Sequence, residues 1–503
     1  MLLALGVGWI AAYAVSPHPF MAIILVLWIG VLTAFVLSER SLLLLFFILL
    51  PFINLLKRLI FLDQTVGSTE TYMVLAAQDL LLGGVVLKAL MRAVQEKSWL
   101  RLSGVDGAVC AFGLYSMFSA VLFSTGAPWT ARFATFESQV WPIVMYFMAA
   151  RYLNRRRDLI TLSNVIIIFT SFVAFYGIYH FIWGLNSFEQ AWYGDIETAS
   201  SNVLHMERDL ELYGIFRIFS TLDSHGAYGI FLGIGLIIAW ARLFRLGTLA
   251  WLGASLLMVF GIIISFTRYT WVMLIVAGIC ILALQSKKLM SRINIRNIRQ
   301  TTGVLLAGLI GSFFILTLIL SSLYRTELVS PSNPYVHRAF ETNTLYARIQ
   351  WRDLLSARDT SMLGNGLATT GRFAGKFEFE SKDINYHNIF IDMMDSLGLF
   401  GLTLFLWLLY LLFKRAFVII RYLDDVLAQR LLVALFALVL AMLWVGHFNG
   451  AVFYHGRVIP YFFWGFCGIL VHYCTEEEVH KGFRGQGDLT RNISQAGNTY
   501  ARI

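Results

Sequence analysis

Charge is what this sequence has least of. Only 14% of its 503 residues are Asp, Glu, Lys or Arg, while 58% are hydrophobic. Soluble chains carry roughly 25% charged residues. A mean hydropathy of +0.70 therefore excludes a soluble globular enzyme. The apolar runs continue from end to end, which also excludes a soluble catalytic domain held by one anchor. Proline is scarce, at eight residues, so little interrupts long helices. The four cysteines, Cys110, Cys280, Cys467 and Cys474, sit in or beside apolar segments. They have neither the spacing of a zinc site nor that of a disulfide framework. No P-loop or dinucleotide fingerprint occurs, and Gly233-Ile234-Gly235 lies inside an apolar run, where small residues serve helix packing. Nothing in the chain reads as an ATP-driven engine, so chemistry here has to be driven by the substrate itself.

What is present is a succession of apolar stretches. A helical span needs about 20 residues, and fourteen candidates can be read, at roughly 2–15, 20–37, 41–56, 73–90, 104–124, 139–152, 159–184, 224–243, 248–266, 270–285, 303–323, 397–413, 429–447 and 458–473. The expected fold is an all-α polytopic membrane protein of 12–14 spans. The first stretch is short and could be a signal-like segment, although it lacks a basic start.

Lys and Arg in short loops set the orientation of such a protein. One alternating set of loops holds 24 of the 39 basic residues, among them Arg40, Lys88, Arg92, Arg151, Arg155, Arg156, Arg157 and Arg242. The opposite set holds 15, and eight of those fall in one long loop to which the rule does not apply. The richer side is assigned to the cytoplasm, and the net charge of +9 is explained by it without nucleic acid. Residues 1–323 then carry spans one to eleven with an outer loop at about 185–223. A large outer loop follows at 324–396, then three spans over 397–473 and a cytoplasmic tail from 474 to 503. Some seventy residues are too many for an idle connection. That loop holds a helix-like stretch at 344–357, the turn Gly364-Asn365-Gly366, and a polar passage into Tyr386-His387-Asn388.

Arginines dominate the outer set. Arg132 follows the fifth span, Arg217 precedes the eighth, Arg268 lies between the ninth and tenth, and Arg348 and Arg352 are four apart, on one face of a helix. A planar guanidinium suits phosphate oxygens bidentately, and several converging would bind a diphosphate without a metal. The plainer alternative for any one of them is lipid-headgroup anchoring or pairing with Asp223, Glu341 or Asp353. His387 stands before the twelfth span; a helix N-terminus disfavours the imidazolium and leaves a ring able to accept a proton. Its plainer role is an interfacial helix cap. Clustered carboxylates that would hold a metal are lacking outside, Asp209-Leu210-Glu211 being the nearest approach, and Asp392 and Asp395 read as helix-start charges. Gln78 and Asp79 inside a span invite a transport pathway, with a helix–helix hydrogen bond as the simpler use. Trp183, Trp192, Tyr193 and Trp351 could stack on sugars or anchor at the interface.

Leu345-Tyr346-Ala347-Arg348-Ile349-Gln350-Trp351, then Gly364-Asn365-Gly366, then His387-Asn388 running into Leu397-Gly398-Leu399-Phe400-Gly401, together resemble the signature of the O-antigen ligase/polymerase superfamily. Arg217 ahead of one span and Ser265-Phe266-Thr267-Arg268 ending another are similar to its other landmarks. The resemblance covers about 200–415. It implies a GT-C-like, metal-independent, cofactor-free glycosyltransferase of the bacterial cytoplasmic membrane, acting on its outer face. The donor would be a glycan on undecaprenyl diphosphate, and the acceptor a lipid-linked repeat unit (polymerase) or the lipid A core (ligase). His387 would be the general base, Arg217 and Arg348 would grip the diphosphate with Arg268 and Arg352 as helpers, and Asn388 and Trp351 would contact acceptor or sugar. A chain-length regulator is the protein partner such a polymerase would have. Fourteen spans, where twelve are expected of a ligase, favour the polymerase. The alternative from another class is a transporter or flippase of lipid-linked sugars.

Overall fold

The computed structural model describes residues 27–28, 30–32, 35–60, 68–96, 103–124, 126–194, 211–212, 215–216, 218–243, 248–292, 362–369, 389–448 and 458–473. The chain over these residues is helical: α1 (Glu39–Leu49), continued by a 3₁₀ turn and α2 (Ile53–Ile60), α3 (Ser68–Gln95), α4 (Gly104–Phe118), α5 (Trp129–Thr135), α6 (Val144–Tyr152), α7 (Arg156–Trp183), α8 (Ser187–Gly194), α9 (His225–Leu243), α10 (Thr248–Ile264), α11 (Arg268–Arg292), α12 (Ile389–Tyr422), α13 (Val426–Phe448) and α14 (Ile459–His472). A two-residue antiparallel ladder, Glu211–Leu212 against Ile215–Phe216, stands between α8 and α9.

Six helical segments among the described residues are long and apolar enough to cross a membrane: Glu39–Leu59, Gly104–Phe123, Arg156–Trp183, His225–Arg242, Asp392–Ile420 and Val426–Gly446. Ala250–Ile264, Arg268–Leu282 and Ile459–His472 are shorter apolar helices. This is a multi-pass helical membrane protein, and its outward faces, bearing side chains such as Phe172, Phe175, Leu256 and Ile279, contact lipid. Two further expected spans are helical but are not among these six. The stretch 73–90 lies in α3, whose 28 residues include Glu70, Asp79, Lys88 and Arg92. The stretch 139–152 passes through a 3₁₀ turn at Trp141–Ile143, where Pro142 sits, and continues into α6. The stretches 2–15 and 303–323 lie outside the described residues.

Local chemistry fixes the helix ends. Ser103 and Asp106 form a reciprocal capping box at α4, with Ser103 N–H donating to Asp106 Oδ2 (2.8 Å) and Asp106 N–H to Ser103 Oγ (3.2 Å). Asp425 Oδ1 accepts from Leu427 N–H (2.9 Å) and Ala428 N–H (3.3 Å) before α13. Inside the bundle, glycines set the helix separations. A Cβ at Gly226, Gly229 or Gly233 of α9 would overlap Tyr269, Thr270 or Met273 of α11, and one at Gly468 of α14 would overlap the Tyr146 carbonyl of α6. The Gly233 region thus serves packing, as such small residues do between membrane helices. Asp79 of α3 accepts a hydrogen bond from the Tyr461 hydroxyl of α14 at 3.3 Å, a helix–helix bond rather than a lone buried charge.

The start of α12 differs from the boundary read in the sequence. The apolar run begins at 397, yet the helix begins at Ile389 and is kinked at Gly398 (φ 70). The residues from Ile389 to Ser396 are mostly apolar, but Asp392 and Asp395 interrupt them, so the unbroken apolar run begins only at Leu397, beside the kink.

Candidate functional site

Two junctions lie at the end of the bundle opposite Arg40, Arg92 and Arg156. The first brings together the ends of α2, α7 and α10, the starts of α9 and α11, and α8. The α10–α11 connection is a tight turn: Ser265 Oγ donates to Ile262 O (2.7 Å), Phe266 takes φ 50, and Thr267 Oγ1 donates to His225 O (3.1 Å). This last bond ties the first residue of α9 to the turn that opens α11. Two helix N-termini therefore abut, and Arg268, half-buried, is the first residue of the second. Adjacent N-termini concentrate positive helix-dipole ends, which favour an anion.

Behind this turn the backbone over 218–223 is buried and irregular, with Ser220 at φ 55. Arg58, at the end of α2, holds it. Its guanidinium donates to Ser220 O (2.6 Å) and to Leu222 O, lies 3.4 Å from Glu189 Oε1 and covers the Phe219 ring at 4.1 Å. Glu189 of α8 meets three more side chains: His180 Nε2 at 2.7 Å, the donating Tyr176 hydroxyl at 3.2 Å and the donating Asn186 Nδ2 at 3.1 Å. The side chains of Arg58, Glu189 and His180 are all 0% exposed. Burial pushes the Glu189 carboxyl up, but the His180 imidazole, the Arg58 guanidinium and Asn186 outweigh it and hold it below the ordinary carboxylate range. Tyr179, which donates to Asn186 Oδ1 (2.9 Å), stacks on the exposed Trp183 ring.

The second junction joins the end of α4, the turn 362–369 and the start of α12. The Gly398 kink frees the carbonyls of Asp395 and Ser396. They accept from Asn365 N–H (2.9 Å) and Gly366 N–H (3.0 Å), and Phe400 N–H donates to Met362 O (3.2 Å). Gly364 (φ 80) and Gly366 (φ 96) adopt the left-handed backbone this turn requires. From α4 the Tyr115 hydroxyl bridges Leu363 O (2.9 Å) and Leu397 O (2.8 Å). Ser119 Oγ accepts from Leu367 N–H (3.2 Å), and Ser124 Oγ from Ala368 N–H (3.0 Å). Asn365 Nδ2 also donates to Asp395 Oδ1 at 2.8 Å. The turn 362–369 is thus stapled to the start of α12, the helix that follows His387-Asn388 in sequence.

Of the candidate residues, Arg268 stands in the first junction. Arg217, Arg348, Trp351, Arg352, His387 and Asn388 lie outside the described residues, although the segments that directly follow Arg217 and Asn388 each enter one of the two junctions. Arg132 has a different use from phosphate binding. Its Nε donates to Ala127 O (2.9 Å), its Nη1 to Val121 O (2.8 Å), and its guanidinium lies 4.9 Å from the Trp129 ring centroid, so it caps the chain leaving α4. Arg58, Glu189 and His180 are not singled out by the sequence. Glu189 is 131 residues from Arg58, and no spacing rule joins them.

Comparison with protein-family models finds no match to this chain, and comparison with curated proteins finds none either.

Proposed function

We propose that this chain is a lipid-linked glycan polymerase: a GT-C-like glycosyltransferase of about fourteen spans in the bacterial cytoplasmic membrane, joining undecaprenyl-diphosphate-linked repeat units on the outer face. The observation that supports it most is the first junction. Two abutting helix N-termini, one opened by Arg268 and the other preceded by the buried segment that follows Arg217, form a setting for an anionic group at one end of the bundle. A diphosphate is the anion that the order of the sequence motifs calls for.

In the proposed reaction His387 takes the proton of the acceptor hydroxyl. The freed oxygen forms a bond to the anomeric carbon as the bond from that carbon to the diphosphate breaks. Attack comes from the opposite face, so the configuration inverts. Arg217 and Arg348, helped by Arg268 and Arg352, stabilise the departing diphosphate, which needs no ATP. A positioned base of this kind contributes about 10²–10⁴-fold. His387→Ala and Arg348→Ala are expected to give inserted, folded protein that extends no glycan when supplied with purified lipid-linked repeats. Polymer of normal length from both variants overturns the proposal. Supplying lipid A core alone, then lipid-linked repeat alone, separates ligase from polymerase by which acceptor becomes glycosylated. Movement of lipid-linked sugar across proteoliposomes with no bond formed identifies a flippase instead.

A further inference from the structure

Arg58 is the largest of the fully buried side chains among the described residues. No part of it meets solvent, so it does not touch a substrate. What it holds is backbone. The segment 218–223 is buried and non-helical, beginning one residue after Arg217 and ending two before α9. Irregular backbone at membrane depth persists only where the protein itself satisfies its polar groups. Arg58 does this by donating to the Ser220 and Leu222 carbonyls, while Ser220 Oγ donates to Val173 O of α7 at 2.7 Å and fixes the other side of the segment. A planar guanidinium can serve two carbonyls two residues apart and still face a carboxylate; the point charge of an ammonium matches that geometry less well. Glu189 neutralises the buried charge, and His180, Tyr176 and Asn186 hold Glu189 in turn.

We propose that Arg58 is a positioning residue for the anion site: by gripping the Ser220 and Leu222 carbonyls it fixes the chain between Arg217 and the N-terminus of α9, and so sets the affinity for the donor's diphosphate. This rests on the assignment of Arg217 to the diphosphate made above.

The test separates position from mere folding. Arg58→Gln alone leaves Glu189 buried and unbalanced, whereas the double variant Arg58→Gln/Glu189→Gln removes both charges and still lacks the grip on two carbonyls. Wild type and double variant in detergent micelles are titrated with undecaprenyl diphosphate, and their donor and acceptor KM values are measured in the extension assay. The double variant is expected to melt between Arg58→Gln and wild type and to bind undecaprenyl diphosphate about tenfold more weakly, with donor KM raised equally and acceptor KM unchanged. A purely structural role would leave the affinity of the folded variant alone, so wild-type affinity in the double variant overturns the proposal. If the double variant does not fold, Arg58→Lys decides, since it keeps the charge balance and loses the fork: weaker binding is expected, and wild-type affinity overturns. Wild-type protein that binds undecaprenyl diphosphate but transfers no glycan sinks the polymerase while the affinity ratio still decides on Arg58. Wild-type protein that does not bind it overturns both.

Discussion

The two ends of the bundle use arginine differently. At one end arginines face carboxylates near the surface: Arg40 Nε to Asp158 Oδ1 at 2.5 Å, Arg92 Nη2 to Glu39 Oε1 at 3.0 Å, Arg151 to Glu96 at 3.9 Å, and Arg156 to Asp425. At the other end arginines face backbone. Arg58 holds the carbonyls of Ser220 and Leu222, and Arg132 those of Ala127 and Val121. The first arrangement is the more tolerant, because its guanidiniums stay 28–46% exposed and solvated even where the carboxylate, as at Asp158 and Glu39, is buried, and it supplies the basic bias that orients a membrane chain. The second is shape-determining, because the groups concerned have no water to turn to. Non-helical backbone, left-handed residues and interhelical turns are concentrated at this second end, which is where a site built from loops has to be held.

The largest expected effect comes from breaking the buried cluster unevenly. Arg58→Met leaves Glu189 without its guanidinium and the Ser220 and Leu222 carbonyls without their donor. Removing one partner of a buried pair typically costs about 3–5 kcal/mol. Thermal unfolding in detergent should show a drop that Arg58→Met/Glu189→Gln partly recovers; an equal drop in both would mean that the carbonyl grip, and not the charge, dominates.

Next comes the staple on α12. Gly398 has φ 70, and a Cβ there would overlap the Met362 carbonyl and the backbone of Leu363 and Gly364. Gly398→Ala is expected to cost about 1–3 kcal/mol from backbone conformation alone. It should also release the turn, which proteolysis at 362–369 would report. If the variant melts and resists protease as wild type does, the kink does not hold the loop.

Acid should sharpen the contrast further. Glu189 has its carboxyl held below the ordinary range. The unfolded chain therefore binds this proton more readily than the folded one as pH falls. The stabilisation is fully present once the pH is well above the ordinary Glu value of about 4.3, and it is lost as pH drops through the depressed value. A Glu189→Gln variant should lose less of its melting temperature between about pH 5 and pH 3 than wild type does; identical acid profiles would mean that this carboxyl does not carry the dependence.

Much of the helical frame is legible because it follows from one-dimensional signals. The run 159–184 is apolar with Arg155, Arg156 and Arg157 before it and Gly184 at its end, and α7 is Arg156–Trp183. The run 429–447 is matched by α13, whose start moves back to Val426 because Asp425 caps it. The start of α12 is hidden because Asp392 and Asp395 interrupt an otherwise apolar beginning, and hydropathy gives no hint of the 3₁₀ turn that Pro142 places inside 139–152. The site divides in the same way. Arg268 can be picked out by its position at a span boundary. Arg217, Arg348 and His387 gain their meaning from motif order and family resemblance. The Arg58–Glu189–His180 cluster joins a loop helix to the ends of two spans, and pairing across such distances leaves no periodic trace in a sequence.

The smallest effect belongs to the exposed end. Arg92 pairs with Glu39 at 3.0 Å and approaches Glu96 at 4.0 Å, but its side chain is 46% exposed. Water and ions compete for the guanidinium, although Glu39 is only 8% exposed, and a long side chain loses freedom in making the pair. Arg92→Ala should therefore change stability by about 1 kcal/mol, the upper end for an exposed pair because Glu39 is buried, and raising the salt concentration should shrink part of that difference. Orientation is the property to which this residue contributes, as one of many basic side chains on its side of the membrane, so a single loss should leave loop accessibility unchanged. A drop in melting temperature as large as that of Arg58→Met would show that the two ends differ in exposure alone, and that the carbonyl grip gives Arg58 no special weight.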